Sequence, residues 1–172
     1  MFARILIPID GSPQSSNALQ LGSGLAAQCG ATLVLVYVIS RATTPAGLRE
    51  AAEREGFMSE LSDDLDRLDL VPVAGMASAV PVLVIPDQTL DKFAKLMLEK
   101  ASTTASDAGT KMVETKTLNG EAAEAILQCA EDEGADLIVT GSRGVGDLHS
   151  LFLGSVSHKL AQDSRCPCLV VK

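Results

Sequence analysis

Gly141-Ser-Arg-Gly144-Val-Gly-Asp-Leu-His-Ser-Leu-Phe-Leu-Gly154-Ser155 is the stretch that decides how this chain is read. It follows Asp136-Leu-Ile-Val-Thr140, an apolar run with the pattern of a buried strand. It leads into Gly154-Ser-Val-Ser-His-Lys-Leu-Ala161, which has the pattern of a helix start. A glycine-rich turn between a strand end and a helix start is a place where an α/β protein can hold an anion. Glycine lets the backbone come close to a ligand, and the free N–H groups of the helix N-terminus point at it. The hydroxyls of Ser155 and Ser157 add donors. These features point to the phosphate of a nucleotide.

The spacing excludes two better-known phosphate loops. A P-loop requires G-x-x-x-x-G-K-[ST], and no lysine follows a glycine in that arrangement. A dinucleotide fingerprint, G-x-G-x-x-G, belongs after the first strand, whereas this loop lies in the last quarter of the chain and reads G-x-x-G-x-G. The pattern that fits is G-x2-G-x9-G-[ST], formed by Gly141, Gly144 and Gly154-Ser155.

Working outward, Arg4-Ile-Leu-Ile-Pro-Ile9 predicts a first strand, and Asp10-Gly11-Ser12-Pro13 a turn into a helix with Ser12 as N-cap and Pro13 in its first turn. Ala18, Leu21, Leu25 and Cys29 recur at spacings of three and four and are expected to form its buried stripe, with Gly30 as the stop. Thr32 to Val38 predicts strand two, Lys111 to Leu118 a more exposed strand three, residues 136–140 strand four and Cys168 to Lys172 a last strand. Ala123, Ile126, Leu127 and Ala130 mark a helix ended by Gly134. Another, with Asp87 or Thr89 as cap, carries Leu90, Phe93, Ala94 and Met97. Strands alternating with helices imply a parallel sheet built of right-handed crossovers.

The middle is less regular. Residues 45–67 look helical and hold many charges. Leu70 to Pro86 then runs without a charge, broken by Pro72, Pro81 and Pro86. A membrane span needs about 20 apolar residues in an unbroken helix, so none is expected. The segment reads as an insertion at about 69–88. It is expected to be a loop that covers core or lines a dimer contact, with a flap over a ligand or a docking patch as the other reading.

Composition sets further bounds. The chain has 172 residues, enough for one domain, 1–172. Only 3% are aromatic and none is Trp, so Val, Leu, Ile and Ala must build the core, a mix suited to parallel strands covered on both faces. A net charge of −8 disfavours nucleic acid or an anionic membrane as partner. An anion site would therefore have to be locally positive, from backbone N–H groups with help from Arg143. Cys166-Pro-Cys168 is no zinc site without two further ligands nearby, and the four cysteines read more simply as small buried hydrophobes. No signal peptide is visible, which makes the cytoplasm the expected compartment.

With Ile5-Leu-Ile-Pro-Ile-Asp10-Gly-Ser12 at the front and Cys166-Pro-Cys-Leu-Val-Val171 at the end, the glycine pattern resembles the universal stress protein family, specifically its ATP-binding branch. The resemblance spans nearly the whole chain. It implies a Rossmann-like α/β fold, a five-stranded parallel sheet in the order 3-2-1-4-5 with helices on both faces. It implies adenine-nucleotide contacts from Pro8, Ile9, Asp10, Val38, Gly141, Ser142, Arg143, Gly144, Gly154, Ser155, Val156 and Ser157. Asp10 would face the adenine or ribose end and the backbone of Val38 the adenine; Asp10 can equally cap the following turn. The ligand implied is ATP, or ADP or AMP, with Mg²⁺ held through the phosphates.

The function implied is that of a homodimeric regulatory module, paired through the C-terminal strand and acting on a regulated protein. Similar proteins often carry a basic residue near 149–150, where this chain has His149-Ser150, and Asp147 is a second departure. A slow ATPase, another nucleotide-using enzyme, or a scaffold without nucleotide are the alternatives. The histidine pair that related nucleotidyltransferases carry near strand one is absent, since no histidine precedes His149. Replacing Gly141 or Gly144 with Val is expected to abolish ATP binding while leaving the fold largely intact.

Overall fold

A computed structural model describes residues 1–40, 43–66, 70–72, 81–144 and 153–172. The strands are β1 (Arg4–Pro8), β2 (Thr32–Ile39), β3 (Leu70–Pro72), β4 (Pro81–Leu83), β5 (Met112–Asn119), β6 (Leu137–Gly141) and β7 (Cys168–Val171). The helices are α1 (Pro13–Cys29), α2 (Pro45–Glu55), α3 (Met58–Asp66), α4 (Asp87–Asp107), α5 (Ala122–Asp132) and α6 (Ser155–Asp163). Five strands form one parallel sheet, β5-β2-β1-β6-β7. Counted along the chain, that is the expected order 3-2-1-4-5.

The inner strands read as unbroken apolar runs because both faces are covered. Side chains alternate across a strand. Ile5, Ile7, Leu33, Leu35, Leu137 and Val139 enter one core with α1 and α4, to which α2 and α3 add Leu48, Ala52, Leu61 and Leu65. Leu6, Val34, Val36 and Ile138 enter the other, beneath α5 and α6, with Ile126 and Leu160. β5 lies at an edge and is mostly exposed, as its mixed composition predicts.

Helix α1 starts and stops as its sequence dictates. Ser12 Oγ accepts from Ser15 N at 3.1 Å, Pro13 opens the helix, and Gly30 takes the left-handed conformation at φ 67°. Its buried face differs from the expected stripe, since Leu21 is 45% exposed. The covered residues are Ser15, Ala18, Leu19, Gly22, Ser23 and Ala26. Small side chains let the helix lie close on the sheet; a Cβ on Gly22 would run into Ile7 Cδ1. Close approach, rather than side-chain bulk, decides which face turns inward.

The helical character expected over 45–67 is present in the described part, residues 45–66, as two helices. Gly56 adopts φ 83°, and Gly56 N and Phe57 N bond back to Glu53 O and Ala52 O, closing α2 before α3 begins. The start of α4 uses neither expected cap. Pro86 is its N-cap without a side-chain bond, Asp87 is already helical and Thr89 is buried. In the apolar middle segment, β3 and β4 pair antiparallel as a two-stranded unit apart from the main sheet, with Pro72 opposite Pro81. This is a strand pair where a loop was expected. Prolines forbid a helix there, and the valines favour extended backbone. Ile85 then turns into the first core. Residues 73–80 of that segment lie outside the described residues.

A charged network sits on the second face of the sheet. Arg4 pairs with Glu114 at 2.7 Å and with Glu133, whose other oxygen meets Lys116 Nζ at 2.5 Å. The Lys116 hydrogen bond, joined by Arg4, holds the Glu133 carboxyl below the usual glutamate range. A depressed carboxyl contributes stability above its unfolded pKa, about 4.3, and loses it as pH falls through the lower folded value. Thermal melts of wild type and Glu133→Gln should therefore differ most near neutral pH and converge on acidification below about pH 4. A difference in midpoint that stays constant across that range would refute this coupling.

Candidate functional site

The carboxyl ends of β1, β2 and β6 face a cavity of about 500 Å³, within the range of small-molecule sites. Of the residues expected at a nucleotide, Pro8, Ile9, Asp10, Val38, Gly141, Arg143, Gly144, Gly154, Ser155, Val156 and Ser157 line it. Ser142 does not line it; its residue is buried, and its backbone serves as a tie. Ser142 N donates to Val171 O at 2.6 Å, and Ser142 O accepts from Gly154 N at 2.8 Å and from Ser157 Oγ at 2.9 Å. The backbone of one residue thus joins the end of β6, the start of α6 and the edge strand β7. Ser157 Oγ also lies 3.0 Å from Gly154 O, so this hydroxyl donates to the backbone rather than pointing freely into the cavity.

On the opposite wall, Asp10 Oδ1 accepts from Ser12 N at 2.9 Å, and Asp10 N donates to Ser15 Oγ at 3.3 Å. The turn-capping role is therefore present, while the residue also lines the cavity. Ser12 Oγ donates to Arg143 O at 3.3 Å, lacing the β1–α1 turn to the glycine loop.

The two loop glycines have different reasons to lack a side chain. A Cβ on Gly141 would sit 2.7 Å from Gln14 C and 2.8 Å from Ser15 N, inside the backbone of α1. A Cβ on Gly144 would sit 2.6 Å from Asp10 Oδ2. Gly141 is thus a packing glycine. The expectation that a side chain there would spare the fold is corrected by this backbone contact. Asp147 and His149 lie outside the described residues.

Several lining residues were not singled out from the sequence: Ser15, Val36, Thr43, Ala122, Ile126 and Thr140 among them. Ile126 carried a signal, since it belongs to the α5 stripe of Ala123, Ile126, Leu127 and Ala130, whereas Ala122 stands outside that stripe. Thr43 had none, because only the folded path of the chain after β2 brings it back.

Tyr37 lines the cavity while its ring packs edge-on to Phe93, with centroids 5.9 Å apart. Burial, reinforced by the Asp10 charge and opposed by Arg54, pushes its phenol up to about 12.

α6 begins at the cavity with Gly154 as N-cap and no side-chain capping bond. The first intrahelical bond there runs from His158 N to Gly154 O. Helix N-termini carry unpaired N–H groups and about half a positive charge.

Sheet order, glycine loop and cavity define an α/β domain of the Rossmann-like type. The universal stress protein family model matches residues 1–172, and the chain belongs to that family. Universal stress protein YxiE of Bacillus subtilis is 33% identical over 174 residues, covering 100% of both chains. Universal stress protein MJ0577 of Methanocaldococcus jannaschii is 30% identical over 173 residues, covering 100% of this chain and 96% of its own. The solved MJ0577 structure superposes with TM-score 0.64 at 27% identity, over 100% of this chain and 96% of that one. A universal stress protein in complex with cAMP gives TM-score 0.62 at 20% identity, over 99% and 97%. The Archaeoglobus fulgidus protein in complex with dAMP gives 0.61 at 17%, over 99% and 98%. Among the described residues, no helix is long and apolar enough to cross a membrane.

The glycines separate by experiment. Gly141→Ala should destabilise the fold by about 1–3 kcal/mol, the usual cost of overpacking. Gly144→Val should displace the Asp10 carboxylate and leave the melting temperature within a few degrees of wild type. Thermal melts check both; equal stability losses would show that the two glycines do the same job.

Proposed function

We propose that this chain binds an adenine nucleotide, ATP first and ADP or AMP with it, and acts as a homodimeric module whose nucleotide state alters a regulated protein. The observation that carries the reading is the uncapped N-terminus of α6, set in the cavity wall beside Gly144 and facing the β1 end. An anion there completes the free N–H groups and meets the positive end of the helix.

The apolar part of the cavity, Val36, Val38, Ala122 and Ile126, suits a base. Asp10 suits a ribose hydroxyl, and Gly144 with the α6 start suits the phosphates. Mg²⁺ would be held by phosphate oxygens and water, as that ion prefers. The cAMP and dAMP complexes of two proteins with this fold agree with an adenine nucleotide. Binding should outpace turnover, because Asp10 already accepts from Ser12 N and the sequence offers no Walker lysine.

Tyr37 is the chain's only tyrosine, and there is no Trp, so its emission is a built-in probe of the cavity. Titration with ATP should change that emission with micromolar affinity, about −8 kcal/mol. Acid extracts of protein purified without added nucleotide should contain adenine nucleotide. Single-turnover hydrolysis should run well below the ~1 s⁻¹ low end of ordinary enzymes. No emission change and no bound nucleotide would refute the reading; turnover of several per second would make the protein an ATPase.

The homodimer is argued from β7. It is the outer strand of the sheet, with Leu169 36% exposed. Beside it runs α1, which carries no charged residue from Pro13 to Cys29 in a chain of net charge −8 and exposes Leu21. Pro167 O and Val171 O accept from β6, so Cys168 and Val170 direct their N–H groups outward. Two copies related by a two-fold axis could pair along that edge. Light scattering should give about twice the 17.9 kDa chain mass. Val170→Pro and Leu169→Lys should each yield folded monomer, and a stable dimer in both would reject this interface.

A further inference from the structure

We propose that Arg54, at the end of α2, is a positioning residue for the phosphate site: its guanidinium backs the Asp10–Gly11 turn and offsets the Asp10 carboxylate, so that the cavity accepts a polyanion. The proposal rests on the nucleotide reading and deepens it. It names what lets an acidic wall residue stand beside phosphates.

The geometry begins at Gly11, which adopts φ 78°. A Cβ there would lie 3.2 Å from Arg54 Nη2, 3.0 Å from Glu55 Oε1 and 3.1 Å from Met97 Cε. The turn that carries Asp10 is therefore seated directly on the last turn of α2. That turn is itself fixed. Gly56 closes α2, Phe57 packs against Phe93, and Lys100 Nζ reaches Glu55 Oε2 at 2.9 Å and Glu55 O at 3.2 Å.

Lys100 thus neutralises Glu55. Among the described residues, Arg54 has only the long contact of its Nε with Glu55 Oε1, at 3.5 Å. Its charge remains largely available to its surroundings. Asp10 is the acidic residue of the adjoining turn: Oδ1 is occupied by Ser12 N, and Oδ2 abuts the position a Cβ on Gly144 would take. Tyr37 senses both, since Asp10 raises its phenol and Arg54 lowers it. Arg143 is the arginine in the cavity lining itself; Arg54 acts from behind the wall.

A phosphate-charge role separates from a packing role by the ligand's charge. ATP and adenosine affinities would be measured by calorimetry for wild type, Arg54→Gln, Arg54→Lys and Arg49→Gln. Arg49 is on the same helix and pairs with Asp66 at 2.8 Å, which makes it the control. Arg54→Gln should weaken ATP about fivefold, the scale of a partly screened charge, and leave adenosine unchanged. Arg54→Lys should restore ATP affinity, and Arg49→Gln should change neither.

Equal weakening of both ligands would assign Arg54 to packing and overturn the proposal, as would unchanged ATP affinity. Should Arg54→Gln fail to fold, Arg54→Met keeps the aliphatic stem and is read the same way. Wild-type protein that binds neither ligand would sink the nucleotide reading and this proposal together. Wild-type binding with an indifferent Arg54 would sink the proposal alone.

Discussion

The contact between Gly141 and the first turn of α1 is the constraint on which the site depends. There is no room for a single carbon between them, so the end of β6 and the start of α1 are held at backbone contact distance. That spacing lets Ser12 Oγ reach Arg143 O and sets Asp10 against Gly144. The same strand end continues into Ser142, whose backbone N–H and C=O tie β7 and α6. One close approach therefore fixes both walls of the cavity and links them to the outer strand of the sheet. A site held this way needs little rearrangement when a ligand enters, and pre-organisation of this kind lowers the cost of binding.

The electrostatic problem is solved locally. A chain of net charge −8 repels phosphate at long range. Salt screens that repulsion over roughly 8 Å under physiological conditions, whereas a helix N-terminus acts within its first turn. Backbone N–H groups can thus make an anion site inside an acidic protein without altering its overall charge. Asp10 is the exception in the wall. It is held by Ser12 N, and its turn rests on Arg54 and Glu55, of which Glu55 is paired to Lys100.

How much of this could be read from the sequence follows from which interactions are local. The inner strands were legible because burial on both faces leaves unbroken apolar runs. The cap of α1 and its glycine stop were legible because capping is chemistry among neighbouring residues. The buried face of α1 was not, because periodicity of large side chains points to Leu21 while the sheet selects Ala18, Gly22 and Ala26. The break at Gly56 was obscured by strong helical composition on both sides. In the site, glycine spacing marked the loop, but the reason for each glycine lay 127 residues away at Gln14 and 134 away at Asp10. Ser157 looked like a ligand donor, and only the fold reveals that Ser142 O takes its hydrogen.

The crossover from β2 to α4 gives the structure its individuality. In a doubly wound sheet such a connection needs only to return the chain to the neighbouring strand. Here it carries α2, α3 and the β3–β4 pair before α4 begins. Among the described residues, that excursion meets the site around Ser40 and Thr43 and again at the end of α2. Thr43 lines the cavity just before α2, and Arg54 with Glu55, in the last turn of that helix, supports Gly11. One helix thus meets the site at both ends, while its middle packs Leu48 and Ala52 into the first core. A shift of α2 along its axis would be felt at Thr43 and at the Asp10 turn together. The glycine loop and α6 form one wall of the candidate site, and the crossover is where this chain adds its own support to the turn on the opposite wall.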